Sequence, residues 1–73
     1  MSKKSITLHD FGREEYLDGA TMRYEIISGT YLNGSTLAYF ARLADAAIFA
    51  KVKAEQTGRP LARSKSASAR WRP

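Results

Sequence analysis

Apolar and polar residues alternate along the first half of the chain, and this pattern predicts short β-strands. The candidate strands are residues 5–8, 13–17 and 21–28, the last of which is rich in β-branched and aromatic side chains. Asp18-Gly19 separates the second candidate from the third, and an Asp-Gly pair between extended segments favours a tight hairpin turn. The pattern therefore predicts an antiparallel hairpin, with residues 30–32 as a brief further extended piece.

The second half of the chain changes to an alanine-rich helical pattern, from about Thr36 to about Gln56. Ser35 or Thr36 can cap its first turn, and Gly58 can end it in the left-handed conformation before Pro60. At about 100° per residue, one broad apolar face is expected, made of Leu37, Phe40, Ala41, Ala44, Ala47, Ile48 and Val52. We expect this face, including Ile48, to pack against the strands.

The composition changes again at Arg59, where apolar periodicity stops and Ser, Ala, Arg and Lys dominate. The chain has a net charge of +5, and residues 1–58 hold seven bases and seven acids, so the five bases of residues 59–73 account for the whole excess. Such a segment buries too little apolar surface to offset its ordering entropy. The sequence therefore predicts a disordered basic tail.

Together these segments predict an α+β protein of two or three short antiparallel strands packed on one long helix, with a disordered basic C-terminal tail. The expected division is a small folded body at residues 1–58 and a flexible tail at residues 59–73. The chain of 73 residues has no cysteine to strengthen a thin core through disulfides or zinc. No apolar run is long enough to span a membrane, so we expect no membrane contact. The lack of cysteine fits a reducing compartment, and we expect a cytoplasmic protein that is a monomer.

Residues with catalytic or metal-binding chemistry are sparse. His9 is the single histidine, so a surface or turn position is expected for it rather than a metal site. Glu14 and Glu15 are neighbours that would diverge along a strand, and the chain has no phosphate-binding loop. We therefore expect a binding protein and not an enzyme, with no catalytic residue, metal or cofactor.

Two groups of residues are candidates for contacting a partner. Arginine in the tail can bind phosphate or carboxylate, and tryptophan can stack on a base or fill a pocket. This group comprises Arg59, Arg63, Lys65, Arg70, Trp71 and Arg72. The second group lies beside the apolar face of the predicted helix, where exposed aromatic residues are candidate hot spots or else pack against a strand or the tail. It comprises Tyr39, Arg42, Phe49 and Lys53.

The opening string MSKKSITLHDFG, the segment GTYLNGSTLAYFARLADAAIFAK and the basic end resemble small bacteriophage early proteins that regulate host RNA polymerase, of the kind encoded by lytic Xanthomonas phages. The resemblance covers all 73 residues in length and layout. It implies a protein of the bacterial host cell that binds the polymerase, interferes with sigma-dependent initiation and can suppress termination. In that setting the basic tail would meet acidic polymerase surface or nearby DNA.

Two other classes of function fit the same residues. One is a nucleic-acid-binding module, although specific DNA-binding proteins usually carry positive charge on the docking element and residues 1–58 are neutral. The other is a different small phage inhibitor, such as an anti-CRISPR protein, or a small structural protein.

Overall fold

The computed structural model describes residues 4–17, 19–31 and 33–66, which form a four-stranded sheet with one helix on it. The elements in chain order are β1 (Ile6–Leu17), β2 (Ala20–Ser28), β3 (Ser35–Phe40), α1 (Leu43–Thr57) and β4 (Leu61–Lys65). β1, β2 and β3 pair antiparallel and β4 runs parallel to β1, which gives the order β3-β2-β1-β4. The α+β class is confirmed, but the sheet is mixed and has four strands in place of two or three.

The hairpin between β1 and β2 is confirmed, since Leu17 pairs with Ala20 across the turn. Its register shifts between Asp10 and Glu15, where β1 contains extra residues. Gly12 lies in this bulge with φ +81°, a conformation that favours glycine. The Asp10 carboxylate fixes the bulge, because its Oδ1 accepts hydrogen bonds from the Gly12 N–H (2.7 Å) and from Arg23 Nε (3.2 Å).

The start of the helix differs from the prediction. Residues 35–40 form the edge strand β3, and α1 begins only at Leu43. Helix propensity is a weak preference that pairing with a neighbouring strand overrides, and here Ala38 and Phe40 pair with Ile26 and Tyr24 of β2. The predicted end is correct, because Gly58 adopts the left-handed conformation directly after Thr57.

The core lies between α1 and one face of the sheet. Small side chains let the helix approach the sheet closely, and the buried residues are Ala46, Ala50 and Ala54 of α1 with Ile6, Leu8, Tyr24 and Ile26 of β1 and β2. Ile48, expected in this core, is 63% exposed, and Val52 is 44% exposed. The buried face of the helix is thus rotated from the predicted one, because a backbone this close to the sheet has room only for alanine. No helix in the described ranges is long and apolar enough to cross a membrane.

The segment after the helix contains the strand β4, so the predicted disorder is wrong for Leu61–Lys65. This strand has little apolar content, but it adds backbone hydrogen bonds along β1. The Ile6 N–H donates to the Pro60 carbonyl (2.8 Å), and the Ser66 N–H donates to the Asp10 carbonyl (2.9 Å). The backbone hydrogen bonds to the distant strand β1 therefore order a segment that has too little apolar surface to fold on its own. Residues 67–73 of the predicted tail, with Arg70, Trp71 and Arg72, lie outside the described residues.

Candidate functional site

An apolar surface extends from the end of β3 along the outer side of α1, and we call its residues Phe40, Ile48, Phe49 and Val52 the apolar strip. The rings of Phe40 and Phe49 pack against each other with centroids 5.3 Å apart, and Ile48 and Val52 project beside them. The four side chains line an open groove of about 420 Å³, with Asp45 at its side. Because α1 faces the sheet through its alanines, Ile48 and Val52 remain in contact with water, whereas Phe40 and Phe49 are half-buried against the core.

The edge strand β3 adjoins the apolar strip and carries no charged residue. Its sequence is STLAYF, and Leu37 and Tyr39 are both exposed. Natural sheets usually protect their edges with charge, proline or covering elements. An uncharged edge beside exposed apolar side chains is therefore typical of a surface that contacts another polypeptide.

The four residues predicted as one helix surface lie in three places. Phe49 and Lys53 are together on α1, with Lys53 Nζ 5.7 Å from the centre of the Phe49 ring. Tyr39 lies on β3 opposite Glu25, on the sheet face away from the helix, where its ring is 6.4 Å from that of Phe11. Arg42 is exposed and directly precedes α1. Only Phe49 belongs to the apolar strip.

The sheet face opposite α1 buries a polar cluster around His9, which is 1% exposed. His9 Nδ1 is 2.6 Å from Ser64 Oγ, and its Nε2 is 2.9 Å from Ser66 Oγ. The Tyr31 ring stacks on the imidazole at 3.7 Å, and Phe11 meets it edge-on at 5.6 Å. The interpretation of His9 as a surface or turn residue is therefore wrong.

This cluster resembles a nucleophile–base pair, because a serine hydroxyl on a histidine nitrogen is the usual starting point of nucleophilic catalysis. In this protein hydroxyls occupy both ring nitrogens, and Tyr31 covers one ring face. His9 therefore ties β4 to β1 through its side chain, in addition to the backbone ladder. The arrangement favours a structural role for His9.

Burial lowers the pKa of His9 below its ordinary value of 6.5, against the smaller raising effects of Glu25 and Asp10. Between the folded and unfolded pKa values the unfolded state binds more protons, so stability falls as pH falls through 6.5. We expect the melting temperature to decrease as the pH is lowered from about 7.5 to about 5.5. This decrease should be absent in the His9→Gln variant.

Asp10→Asn is the control for this measurement. Burial would raise the pKa of Asp10, but the Gly12 N–H and Arg23 together hold it below its ordinary value of 3.8. The contribution of Asp10 is therefore lost only at lower pH. Asp10→Asn should keep the decrease below pH 6.5 and extend it to lower pH, because Asp10 no longer raises the pKa of His9. The same pH dependence in wild type and His9→Gln would contradict the assignment to His9.

The predicted basic residues have different surroundings. Arg59 is part of the fold, because its guanidinium donates to the carbonyls of Lys4 (2.7 Å) and Ser5 (3.2 Å) and to the Ser28 hydroxyl (2.7 Å). Arg63 and Lys65 are exposed on β4, and within the described ranges neither forms an ion pair. Arg63 and Lys65 can therefore contact a partner, although the Lys65 charge also acts on the neighbouring Asp10 carboxylate, whereas Arg59 already has acceptors.

A second groove, of about 390 Å³, lies on the other side of α1 from the apolar strip. Arg63 and Lys65 form one wall, Leu43 forms the other, and Leu8 and Tyr24 form the floor. Asp10 also lines it, but its carboxylate is already paired with Arg23. The groove thus combines an apolar floor with the positive charges of Arg63 and Lys65, and the Lys65 charge also interacts with the Asp10 carboxylate.

Comparisons with known proteins identify no relative of this chain. No protein-family model matches the sequence, and neither the curated proteins nor the solved structures include a significant match.

Proposed function

We propose that this chain is a non-enzymatic protein that binds bacterial RNA polymerase and inhibits or redirects transcription. The mechanism in this proposal is interference with sigma-dependent initiation, with suppression of termination as a further effect. The observation that supports protein binding is the apolar strip beside the uncharged edge of β3. The choice of polymerase as the partner rests on the resemblance of the whole sequence to small phage regulators.

The apolar strip has the composition of a binding hot spot. Protein interfaces concentrate their affinity in a few aromatic and large aliphatic anchors surrounded by weaker contacts. Phe40 and Phe49 supply a rigid aromatic pair, while Ile48 and Val52 supply exposed aliphatic surface. Full burial of a fully exposed aliphatic side chain contributes about 1.5–3 kcal/mol, and Ile48 and Val52 can supply the part of this that corresponds to their exposed fractions of 63% and 44%.

The same strip also fits another small phage inhibitor, such as an anti-CRISPR protein, with a different protein as its target. A nucleic-acid-binding module is favoured by one observation, the unpaired cations Arg63 and Lys65. On the described strand β4, two such cations are a small electrostatic footprint, and Arg59 is already bonded within the fold. An apolar strip would have no role on a phosphate backbone. These points support a protein as the main partner.

Transcription in vitro tests this proposal. The full chain should reduce run-off transcripts when it is added to polymerase holoenzyme before promoter DNA, because a docked protein then blocks sigma-dependent engagement. Elongation from a preassembled primer–template scaffold by the core polymerase should continue. Excess competitor DNA is the control and should leave the inhibition unchanged. Unaltered promoter-directed transcription at saturating protein would contradict the proposal, as would inhibition that competitor DNA abolishes.

A further inference from the structure

β4 is an edge strand with one side facing away from the sheet. In a parallel ladder, alternate residues of a strand direct their backbone groups to the same neighbour. The bonds made by the Pro60 carbonyl and the Ser66 N–H with β1 fix this alternation. The backbone N–H and C=O groups of Leu61, Arg63 and Lys65 therefore point outward, and no described strand pairs with them.

The residues with outward backbone groups also carry the charge of this edge. Arg63 and Lys65 are exposed on the helix side of β4, next to the groove floored by Leu8 and Tyr24. Basic side chains on an edge strand oppose pairing between two copies, because like charges placed opposite each other are destabilising. They attract a strand of opposite charge for the same reason.

We propose that the outer edge of β4 takes an extended acidic polypeptide segment as an added strand. Its main chain bonds to Leu61, Arg63 and Lys65, and its carboxylates lie beside the two cations on the helix side of the sheet. Strand addition of this kind takes affinity from the main chain and specificity from alternate side chains. The proposal goes beyond the proposed function, because it concerns the opposite side of α1 and holds whichever protein supplies the segment.

The backbone geometry favours a polypeptide over a DNA backbone at this edge. A phosphate backbone can accept hydrogen bonds from the outward N–H groups and neutralise Arg63 and Lys65. A DNA backbone has no donor for the outward carbonyl groups, whereas a peptide strand offers a donor and an acceptor at every second residue. An extended peptide therefore satisfies both the charges and the backbone groups of β4.

The test uses the full chain, labelled with ¹⁵N, and the capped peptide acetyl-Glu-Val-Glu-Val-Glu-Val-amide. Amide shifts should change chiefly at residues 61–66 and in the adjacent part of β1. The same peptide with Lys in place of Glu should bind about twofold to thirtyfold more weakly, since two exposed ion pairs are lost. Two further peptides test which edge of the peptide pairs with β4. In one the Glu amide nitrogens are methylated, and in the other the Val amide nitrogens are methylated. Only the peptide methylated on its pairing edge should lose binding.

Reversal of the charges supplies the matched protein variant. Arg63→Glu with Lys65→Glu should prefer the Lys peptide over the Glu peptide, and its amide spectrum reports whether the fold is kept. Equal binding of the Glu and Lys peptides to the wild type would overturn the proposal, as would full binding by both methylated peptides. No shift at millimolar peptide, or stronger shifts of residues 61–66 with a short DNA duplex at equal salt, would overturn it too.

Discussion

Ile26→Ala is expected to lower the free energy of unfolding by about 2–5 kcal/mol, a large part of the stability of so small a domain. Ile26 is fully buried in the central strand β2, where it pairs with Leu8 on one side and Ala38 on the other. The alanines of α1 lie on top of it. Neither the sheet nor the helix can collapse into the space left by the lost side chain, so the cavity persists. Urea unfolding at neutral pH measures the loss.

Ile48→Ala is the matched control, because it removes the same atoms from an exposed position on α1. Ile48 is 63% exposed, so its truncation should change the free energy of unfolding by less than about 1 kcal/mol. This reverses the expectation from helical periodicity, which puts Ile48 in the core. Equal losses for Ile26→Ala and Ile48→Ala would show that α1 faces the sheet through a different side.

Ile48→Asp with Val52→Asp is expected to weaken polymerase binding by about thirtyfold or more, which corresponds to the loss of at least one hot spot of about 2 kcal/mol. Docking would bury both new carboxylates against apolar surface without a partner, and a buried unpaired charge is costly. The fold should persist, because both side chains lie outside the core. Binding is measured with purified polymerase, and circular dichroism checks the fold.

Lys51→Asp is the control for this pair of substitutions. Lys51 is an exposed residue of α1 beside Gly58 and Leu61, away from the apolar strip. It changes the charge of the helix by as much as Ile48→Asp and Val52→Asp do together. An affinity within about threefold of wild type is expected for Lys51→Asp. Retained affinity in the folded double variant would remove the apolar strip from the interface.

Local signals in the sequence predict the parts of the fold that depend on neighbouring residues. The hairpin between β1 and β2 follows from an Asp-Gly turn, and the end of α1 follows from Gly58. The parts that the sequence does not reveal depend on distant partners. Segment 35–40 becomes a strand through β2, and segment 61–65 becomes a strand through β1.

The same distinction applies to single side chains. His9 is buried by Tyr31, Ser64 and Ser66, which lie far along the chain, so its environment has no local signature. The exposure of Ile48 could not be predicted, because helical periodicity defines an apolar face but not which part of it meets the sheet. Arg59 and Arg63 lie in the same Ser-, Ala-, Arg- and Lys-rich segment, so the sequence does not distinguish them. Only the structure shows that the Arg59 guanidinium bonds to Lys4, Ser5 and Ser28.

Titration of purified, nucleic-acid-free bacterial RNA polymerase with the full chain tests the central proposal most directly. Calorimetry should give saturable binding in the micromolar range or tighter, unchanged by nuclease treatment and greatly weakened by Ile48→Asp with Val52→Asp. Lys51→Asp should bind as the wild type does. A folded chain that shows no binding to polymerase at tens of micromolar, or that binds only when DNA is present, would contradict the proposal.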